Sequence, residues 1–357
     1  MRLVKNITQI SVTRSVVQIV RRFGRVGGME SYVWYLSHAL LSLGYRVVVI
    51  CEGVEDDVDP RIEVIIVSKS TQKHRWKAMR EFNTQIDGLF QSRSELLCSI
   101  VHSHERTGWH HVTTFHGPPM RKDGTLPWYK RISRRLNYWL DVEYRELCAK
   151  QVQRVVPVSH MIGTQLTKRY PKSSSRIVDP AYPALSASSP QRFRDCGPEV
   201  KILFVGKEWK RKGLPKAVEV CQALSAKFSV GLDVFGVSAN DVPRELKRSF
   251  VSYRGYQTEI PFAEYDLLIH PAVSEPFGMV VIEALSNGCR ALISDKVGAA
   301  EKNHDGLVVI EVDACLPRWV DAATALVEKV PDQLPRFETW ADVAVYYDSS
   351  VYPGISV

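Results

Sequence analysis

"YDLLIHPAVSEPFGMVVIEALSNG" occupies residues 265–288 and reads as a strand, a loop and a helix in succession. The apolar run "YDLLIHP" has the length and composition of a buried strand. "AVSEPFG" carries the Pro and Gly of a loop. "MVVIEALSNG" is apolar at helical spacing and closes on Gly288, a natural helix stop. Glu275 stands just ahead of this helix, and Glu283 lies about one turn inside it, eight positions on.

The backbone N–H groups near Phe277, Gly278, Met279 and Val280 are then helix-start donors without intrahelical partners, a ready anion site reinforced by the helix dipole. Gly278 lets a phosphate approach the backbone closely. A carboxylate beside a phosphate is unfavourable unless it accepts hydrogen bonds from neutral donors, and sugar hydroxyls are such donors. One carboxylate could hold a transferred sugar and the other a nucleoside ribose, with a diphosphate between them. The plainer alternative makes Glu275 a helix cap and Glu283 a solvated helix residue. The apolar setting "VVIEAL" around Glu283 disfavours it, because an unpaired charge there is costly.

Working outward, the same strand–helix alternation fills the chain. "KILFVG", "PKAVEVCQALSAKF", "VGLDVFG", "VSYRG" and "RALISD" surround the opening stretch. "VVQIV", "MESYVWYLSHALLSLG", "YRVVVIC", "IEVIIVS", "LLCSIVHSH", "HVTTFHG", a long helix from about 128 to 150, "RVVPVS" and "MIGTQLTKRYP" precede it. Such alternation predicts an α/β fold of two Rossmann-like, doubly wound domains facing across a cleft. The Pro-, Ser- and Ala-rich segment 171–199 is the candidate linker. It divides an N-terminal domain over 1–183 from a C-terminal domain over 184–336. In the tail, 337–357, Trp340, Val343 and Tyr347 share one helical face that could pack back on the first domain.

Of the 357 residues, 47 are Lys or Arg and 39 Asp or Glu, a net charge of +8. The excess lies wholly in residues 1–183, with 28 basic and 16 acidic side chains against 19 and 23 in the remainder. That asymmetry suggests an anionic partner for the first half. No apolar run approaches the ~20 residues of a membrane span. The N-terminus makes a poor secretion signal. Seven scattered cysteines, with no C-x-x-C, fit reduced thiols in a cytoplasmic protein.

The two glutamates eight apart in E-P-F-G…E resemble the E-x7-E signature of retaining glycosyltransferases of the two-Rossmann (GT-B) type, family 4. The resemblance covers nearly the whole chain. "GGMESYVWYLSHALLSLGYRVVVI" looks like the family's first loop and helix, and "TTFHG" like its strand-end histidine. "VPVSHMI" looks like the segment opening the last helix of the first domain. "LFVGKEWKRKGL" resembles its V-G-R…K-G segment, and "DKVGAAE" the segment after the glutamates. The resemblance implies transfer of a sugar from a UDP- or GDP-type donor to a glycan or glycolipid acceptor, in lipopolysaccharide-core or other cell-envelope synthesis. It implies no cofactor and no metal.

By resemblance, Gly27 and Gly28 contact the donor phosphates and the acceptor, although a Gly-Gly turn has a plain structural reading. Glu30 could hydrogen-bond an acceptor hydroxyl or be an ordinary first-turn acid. His116 would lie near the transferred sugar. Lys207 and Lys212 would neutralise the departing diphosphate. Family members usually carry Arg where Lys207 stands, and Lys offers a point charge rather than a bidentate fork. Lys210 and Arg211 read as solvated. Glu275 would orient the sugar and Glu283 the ribose. No carboxylate is an obvious nucleophile, and the family's usual account is front-face attack, with the leaving phosphate taking the acceptor proton.

Two metal patterns carry less weight. His102, His104, His110, His111 and His116 cluster without an accompanying cysteine or carboxylate spacing. Asp57-Val58-Asp59 matches a D-x-D, but sits in an acidic loop. "KSTQKHRWKAMR" and "RKDGTLPWYKRISRRLNYW" interleave basic and aromatic residues, including Arg121, Lys122, Trp128, Tyr129, Lys130, Arg131, Arg134, Arg135, Tyr138 and Trp139. They suit the inner face of an anionic membrane, as for a peripheral enzyme, better than nucleic acid, for which no recognition motif is present. The alternatives to a transferase are a non-catalytic sugar-nucleotide or glycan-binding protein and a sugar-nucleotide epimerase on the same scaffold.

Overall fold

The structure, a computed structural model, describes residues 14–120, 133–186, 191–193, 195–331, 333 and 335–357. The basic and aromatic side chains from Arg121 to Arg131 lie outside them. The described residues form two compact units. One comprises those within Met1–Thr114, Lys122–Val155 and Ala344–Val357, and the other those within Phe115–Arg121 and Val156–Val343.

The first sheet has six strands, β1 (Ser15–Ile19), β3 (Arg46–Cys51), β5 (Glu63–Ile66), β6 (Ile100–Ser103), β7 (Val112–Phe115) and β8 (Arg154–Pro157), in the order β5-β3-β1-β6-β7-β8. A separate two-stranded ribbon joins β2 (Arg22–Phe23) to β4 (Gly53–Val54), and the sequence patterns gave no hint of it. The pairings β1–β3, β1–β6, β3–β5 and β6–β7 are all parallel. Runs such as "VVVIC" are buried throughout, as expected of strands covered on both faces. Helices α1 (Gly28–Ser42), α2 (Arg75–Ser92) and α3 (Arg134–Cys148) belong to this unit. α1 buries Tyr32, Val33, Leu36 and Leu40, one helical stripe.

The second sheet repeats the topology with β9 (Glu199–Val205), β10 (Ser229–Phe235), β11 (Val251–Gly255), β12 (Leu267–His270), β13 (Arg290–Ser294) and β14 (Leu307–Ile310), ordered β11-β10-β9-β12-β13-β14. In both sheets the strand order reverses between the first and fourth strands. The carboxyl ends of those strands are where ligands bind in doubly wound folds. With this unit go α4 (His160–Arg169), α5 (Trp209–Lys212), α6 (Leu214–Leu224), α7 (Met279–Ser286) and α8 (Leu316–Glu328). Ala217, Cys221 and Leu224 of α6 share a core with Trp319, Ala323 and Leu326 of α8 over Ile202, Phe204 and Leu232 of the sheet. Each such fully buried aliphatic or aromatic side chain contributes ~1.5–3 kcal/mol. β14 and α8 are elements that the sequence patterns did not single out.

The last helix, α9 (Trp340–Tyr346), leads into a π-helical turn at Tyr347–Val351. Trp340, Val343 and Tyr347 are buried, as their shared face predicts. The segment from Ala344 onward belongs to the first unit. There the Tyr347 hydroxyl lies 2.5 Å from Thr114 Oγ1, and the Tyr352 hydroxyl lies 2.8 Å from His102 Nδ1.

Candidate active site

The site of the second unit is built where β9 and β12 end. β9 runs into Gly206 and Lys207, and β12 ends on His270, followed by the loop to Gly278. α5 and α6 are joined by Gly213 at φ +83°, a left-handed conformation. A Cβ there would fall 2.1 Å from the Pro271 carbonyl oxygen. Glycine is therefore required twice over, and this turn brings α5 against the loop that follows β12. Val273 N–H donates to the Arg211 carbonyl at 2.9 Å, tying the two segments together.

Lys212 and Glu275 meet as a consequence, with Nζ 3.4 Å from Oε2. The same carboxylate oxygen lies 3.2 Å from Arg211 Nη1 and 3.7 Å from His270 Nε2. Burial pulls the Glu275 carboxyl pKa upward. The neighbouring His270 imidazole and the charges of Lys212 and Arg211 outweigh it and hold the pKa down at about 2. His270 is fully buried, and loss of solvation keeps its pKa below the ordinary imidazole value despite Glu275. The cluster is thus a carboxylate held ionised by two cations and a neutral histidine.

Gly278, at φ +93° and ψ 62°, precedes α7, whose start has no side-chain cap. The cap reading for Glu275 therefore gives way: its side chain faces the cations and not the helix N–H groups. The loop is braced from a third segment. Gly298 N–H donates to the Glu275 carbonyl at 3.0 Å, and Ala299 N–H to the Phe277 carbonyl at 2.8 Å. Ser159 Oγ, at the cap of α4, donates to the Pro276 carbonyl at 2.7 Å. Glu301 accepts from the first N–H groups of α4, those of His160 and Met161, at 2.8 and 2.7 Å. Phe277 and Val280 are both buried. Met279 begins the helix.

Glu283 has no hydrogen-bond or ion-pair partner for its carboxylate among the described residues. Burial raises its pKa above the ordinary carboxylate value, and Lys212 opposes the rise. Lys207 is exposed and without an ion pair among the described residues. The structure thus brings Lys212, Glu275 and the 277–280 helix start to one place and leaves the Lys207 side chain in solvent.

The other sequence candidates lie elsewhere. Gly27 caps α1 in the first unit, in extended backbone, and Glu30 folds over it: a Cβ on Gly27 would sit 2.4 Å from Glu30 Oε2. Glu30 pairs with Arg22 at 2.8 Å. Gly28 opens the helix with free space beside it. Loss of solvation holds His116 neutral, with a pKa down at about 3. The other histidines are engaged in hydrogen bonds: His102 with Tyr352 and Thr114, His104 with Gln18, and His110 with Thr107 and the Glu146 carbonyl. His111 Nδ1 accepts from Val101 N–H. Asp59 of the D-x-D is paired with Arg61 at 2.7 Å. Among the described residues no group of three His, Cys, Asp or Glu is placed to hold a metal.

Two site residues escaped sequence reasoning. Arg211, read as solvated, reaches the Ser274 carbonyl, Glu275 and Glu208. Lys210 does face solvent, over the Trp209 ring at 5.1 Å. The left-handed turn at Gly213 aims Arg211 and Lys212 inward together, which residue type alone does not reveal. His270 had a visible signal: it is the last residue of an otherwise apolar strand at the point where the strand order reverses.

Residues 26–179 match the family described as Glycosyltransferase Family 4, and residues 199–329 match Glycosyl transferases group 1. The lipopolysaccharide glucosyltransferase WaaG of Escherichia coli K12 is 28% identical over 159 residues, 41% of each chain. The chain spans less than half the length of the curated relatives it matches. Among solved structures, WaaG, a glycosyltransferase involved in lipopolysaccharide biosynthesis, superposes with a TM-score of 0.70 at 17% identity, over 94% of this chain and 95% of the other. Anabaena Alr3699/HepE in complex with UDP and glucose does so with a TM-score of 0.58 at 13% identity, over 88% and 89%.

Proposed function

We infer the activity from the premise that this chain belongs to the glycosyltransferases, with a Family 4 domain over 26–179 and a group 1 domain over 199–329. The reaction is retaining transfer of a sugar from a nucleoside diphosphate donor, of UDP or GDP type, without a metal ion. The donor binds the second unit, and the acceptor, a glycan or lipid-linked glycan of the cell envelope, binds the basic first unit. The likeness to a lipopolysaccharide glucosyltransferase supports this acceptor class, as a complex of a similarly folded protein with UDP and glucose supports the donor class.

One observation carries the reading. Lys212 and Arg211 converge on Glu275 beside an uncapped helix start, at the carboxyl edge where the strand order of the second sheet reverses. A diphosphate against the N–H groups of Gly278–Val280 meets the helix dipole and the Lys212 ammonium. Both stabilise the charge that grows on the leaving group as the glycosidic bond breaks. Glu275, ionised, accepts hydrogen bonds from hydroxyls of the transferred sugar. Glu283 does the same for the ribose, a role that requires the carboxylate form against the pull of burial. Neutral His116 hydrogen-bonds the sugar without adding charge. The enzyme acts in the cytoplasm at the inner membrane face. There Arg134 and Arg135, exposed at the start of α3, and the cations flanking Trp76 meet anionic lipid. No helix of the described residues is long and apolar enough to cross a membrane.

A thermal-shift screen of nucleoside diphosphates and their sugars, in buffer with EDTA, tests this. A ligand at a hundred times its dissociation constant stabilises by about 2.7 kcal/mol. Stabilisation by one nucleotide, lost in Lys212→Ala, is expected. Equal indifference to all of them sinks the donor assignment, and donor turnover with no acceptor present points instead to an epimerase.

A further inference from the structure

The first sheet also ends in a cavity, of about 330 Å³. Arg21 follows β1, Glu52 follows β3, Lys69 lies beyond β5, and Glu105 follows β6, so the walls rise from the carboxyl ends of strands on both sides of the strand-order reversal. This is the position that mirrors the Lys212–Glu275 cluster of the second unit.

The walls have two kinds of charge. Arg21 holds Glu52 at 2.7 Å through Nε, and its own N–H donates to Glu105 Oε1 at 3.3 Å. These groups are neutralised in place and present fixed acceptors and donors side by side. Burial raises the Glu105 carboxyl to about 7, so near neutrality it can accept a hydrogen bond or donate one. Lys69 and Arg75, both exposed at the rim, have no ion-pair partner among the described residues. Trp139 of α3 adds an aromatic wall.

A bare anion is a poor occupant, because four glutamates, Glu30, Glu52, Glu55 and Glu105, share the lining and the arginines Arg21 and Arg22 are already paired with two of them. An apolar ligand is poor as well, since it would strand these polar groups. A polyhydroxylated ring satisfies paired acids and arginines with hydroxyls and offers its C–H face to an aromatic wall. A negative substituent on the ring reaches the two free cations. We propose that this cavity is a saccharide site taking a sugar unit that bears an anionic group, with hydroxyls on Arg21, Glu52 and Glu105 and the anion on Lys69 and Arg75. It rests on the transferase reading only in that it makes the occupant the acceptor.

The probes are glucose 6-phosphate, glucuronate, glucose and inorganic phosphate, titrated by calorimetry into the full chain at low salt. At least one anionic sugar is expected to bind tenfold or more tightly than glucose or phosphate alone, and which one identifies the anion. Lys69→Ala/Arg75→Ala, both at the exposed rim, is expected to lower that affinity at least tenfold, and Trp139→Ala to weaken glucose and sugar anion alike. Phosphate binding as tightly as the anionic sugars, no binding by any anionic sugar, or an unchanged double variant overturns the proposal. Nucleotide-induced stabilisation of the same variants is measured in parallel. If it is absent from wild type while an anionic sugar binds, the donor reading alone fails. If it persists while the cavity is inert, this inference alone fails.

Discussion

Gly206 and Lys212 are interlocked: a Cβ placed on Gly206 would fall 2.2 Å from Lys212 Cδ. The aliphatic stem of Lys212 lies across the end of β9, and only a glycine leaves room for it. Gly206→Ala must therefore push the stem aside and lift the ammonium from its place 3.4 Å from Glu275. The expected result is a fall in turnover of about 10–10²-fold with little change in folding, since the displaced atoms are the far end of a flexible side chain. Steady-state kinetics beside circular dichroism checks it. Wild-type turnover in Gly206→Ala disconnects this packing from function.

Glu275 gives a pH prediction. Its carboxyl is held at about 2, so it stays ionised across any working pH. Glu275→Gln is expected to lower kcat/KM by roughly 10²-fold. It should do so by a constant factor from pH 5 to 9, because the wild-type group does not titrate there. A wild-type acid limb between pH 5 and 7 that disappears in Glu275→Gln contradicts the electrostatics of the cluster.

Glu146 behaves in the opposite sense. It is buried in the first unit, where Thr113 Oγ1 donates to it at 3.0 Å, and Glu143 competes for the same Arg106. Desolvation raises its carboxyl to about 8, against the pull of Arg106. A raised carboxyl pKa means that the folded state binds the extra proton between about 4.5 and 8. Stability from this group is full below the unfolded value and is lost as pH rises toward 8. Glu146→Gln, which keeps the shape of the protonated form, should abolish that decline. The melting temperature of the wild type, relative to the variant, should drop by about 5 °C between pH 5 and 8. Parallel pH profiles for the two proteins count against a protonated Glu146.

The C-terminal segment is held by hydroxyls. The Tyr347 hydroxyl lies 2.5 Å from Thr114 Oγ1 and 3.1 Å from that of Tyr32, all buried. Tyr347→Phe leaves two buried hydroxyls short of a partner, at a cost of about 1–3 kcal/mol. Urea unfolding followed by fluorescence measures it, and a loss under 0.5 kcal/mol shows the network to be relaxed.

The fold was legible because its signals are local and repeated. "YRVVVIC", "KILFVG" and "YDLLIHP" are apolar runs of strand length, each followed by a helix or a glycine-bearing loop, and that alternation fixes the layer order. The strand "LVVI" at 307–310 and the helix after it escaped, because "HDGLVVIEVDACLP" is too short an apolar run among charges to stand out. Within the site, the Glu275–Gly278 loop could be read from its spacing. The inward turn of Arg211 could not, since it depends on a carbonyl from Pro271, 60 positions away in the chain, meeting Gly213. Spacing shows that His102 and His104 share a strand face, but not that Tyr352, from the far end of the chain, already hydrogen-bonds His102.

Lys207 and Lys212 are matched in type and both drawn from one basic segment, yet the structure separates them. Lys212 has a side chain less than one-fifth exposed, and its ammonium is held beside Glu275. Lys207 points to solvent without an ion pair among the described residues. A preorganised, partly desolvated charge stabilises a leaving group far more than a solvated one, which must give up water and side-chain freedom to reach it. Lys212→Ala should therefore lower kcat by about 10²–10³-fold. Lys207→Ala should act mainly on KM, by about tenfold or less. Lys207→Arg should tighten donor binding, because a guanidinium can grip two phosphate oxygens at once. Single-turnover and steady-state kinetics on the three variants separate these outcomes. If Lys207→Ala lowers kcat as far as Lys212→Ala does, donor binding itself recruits Lys207, and the preorganisation argument for Lys212 alone is lost.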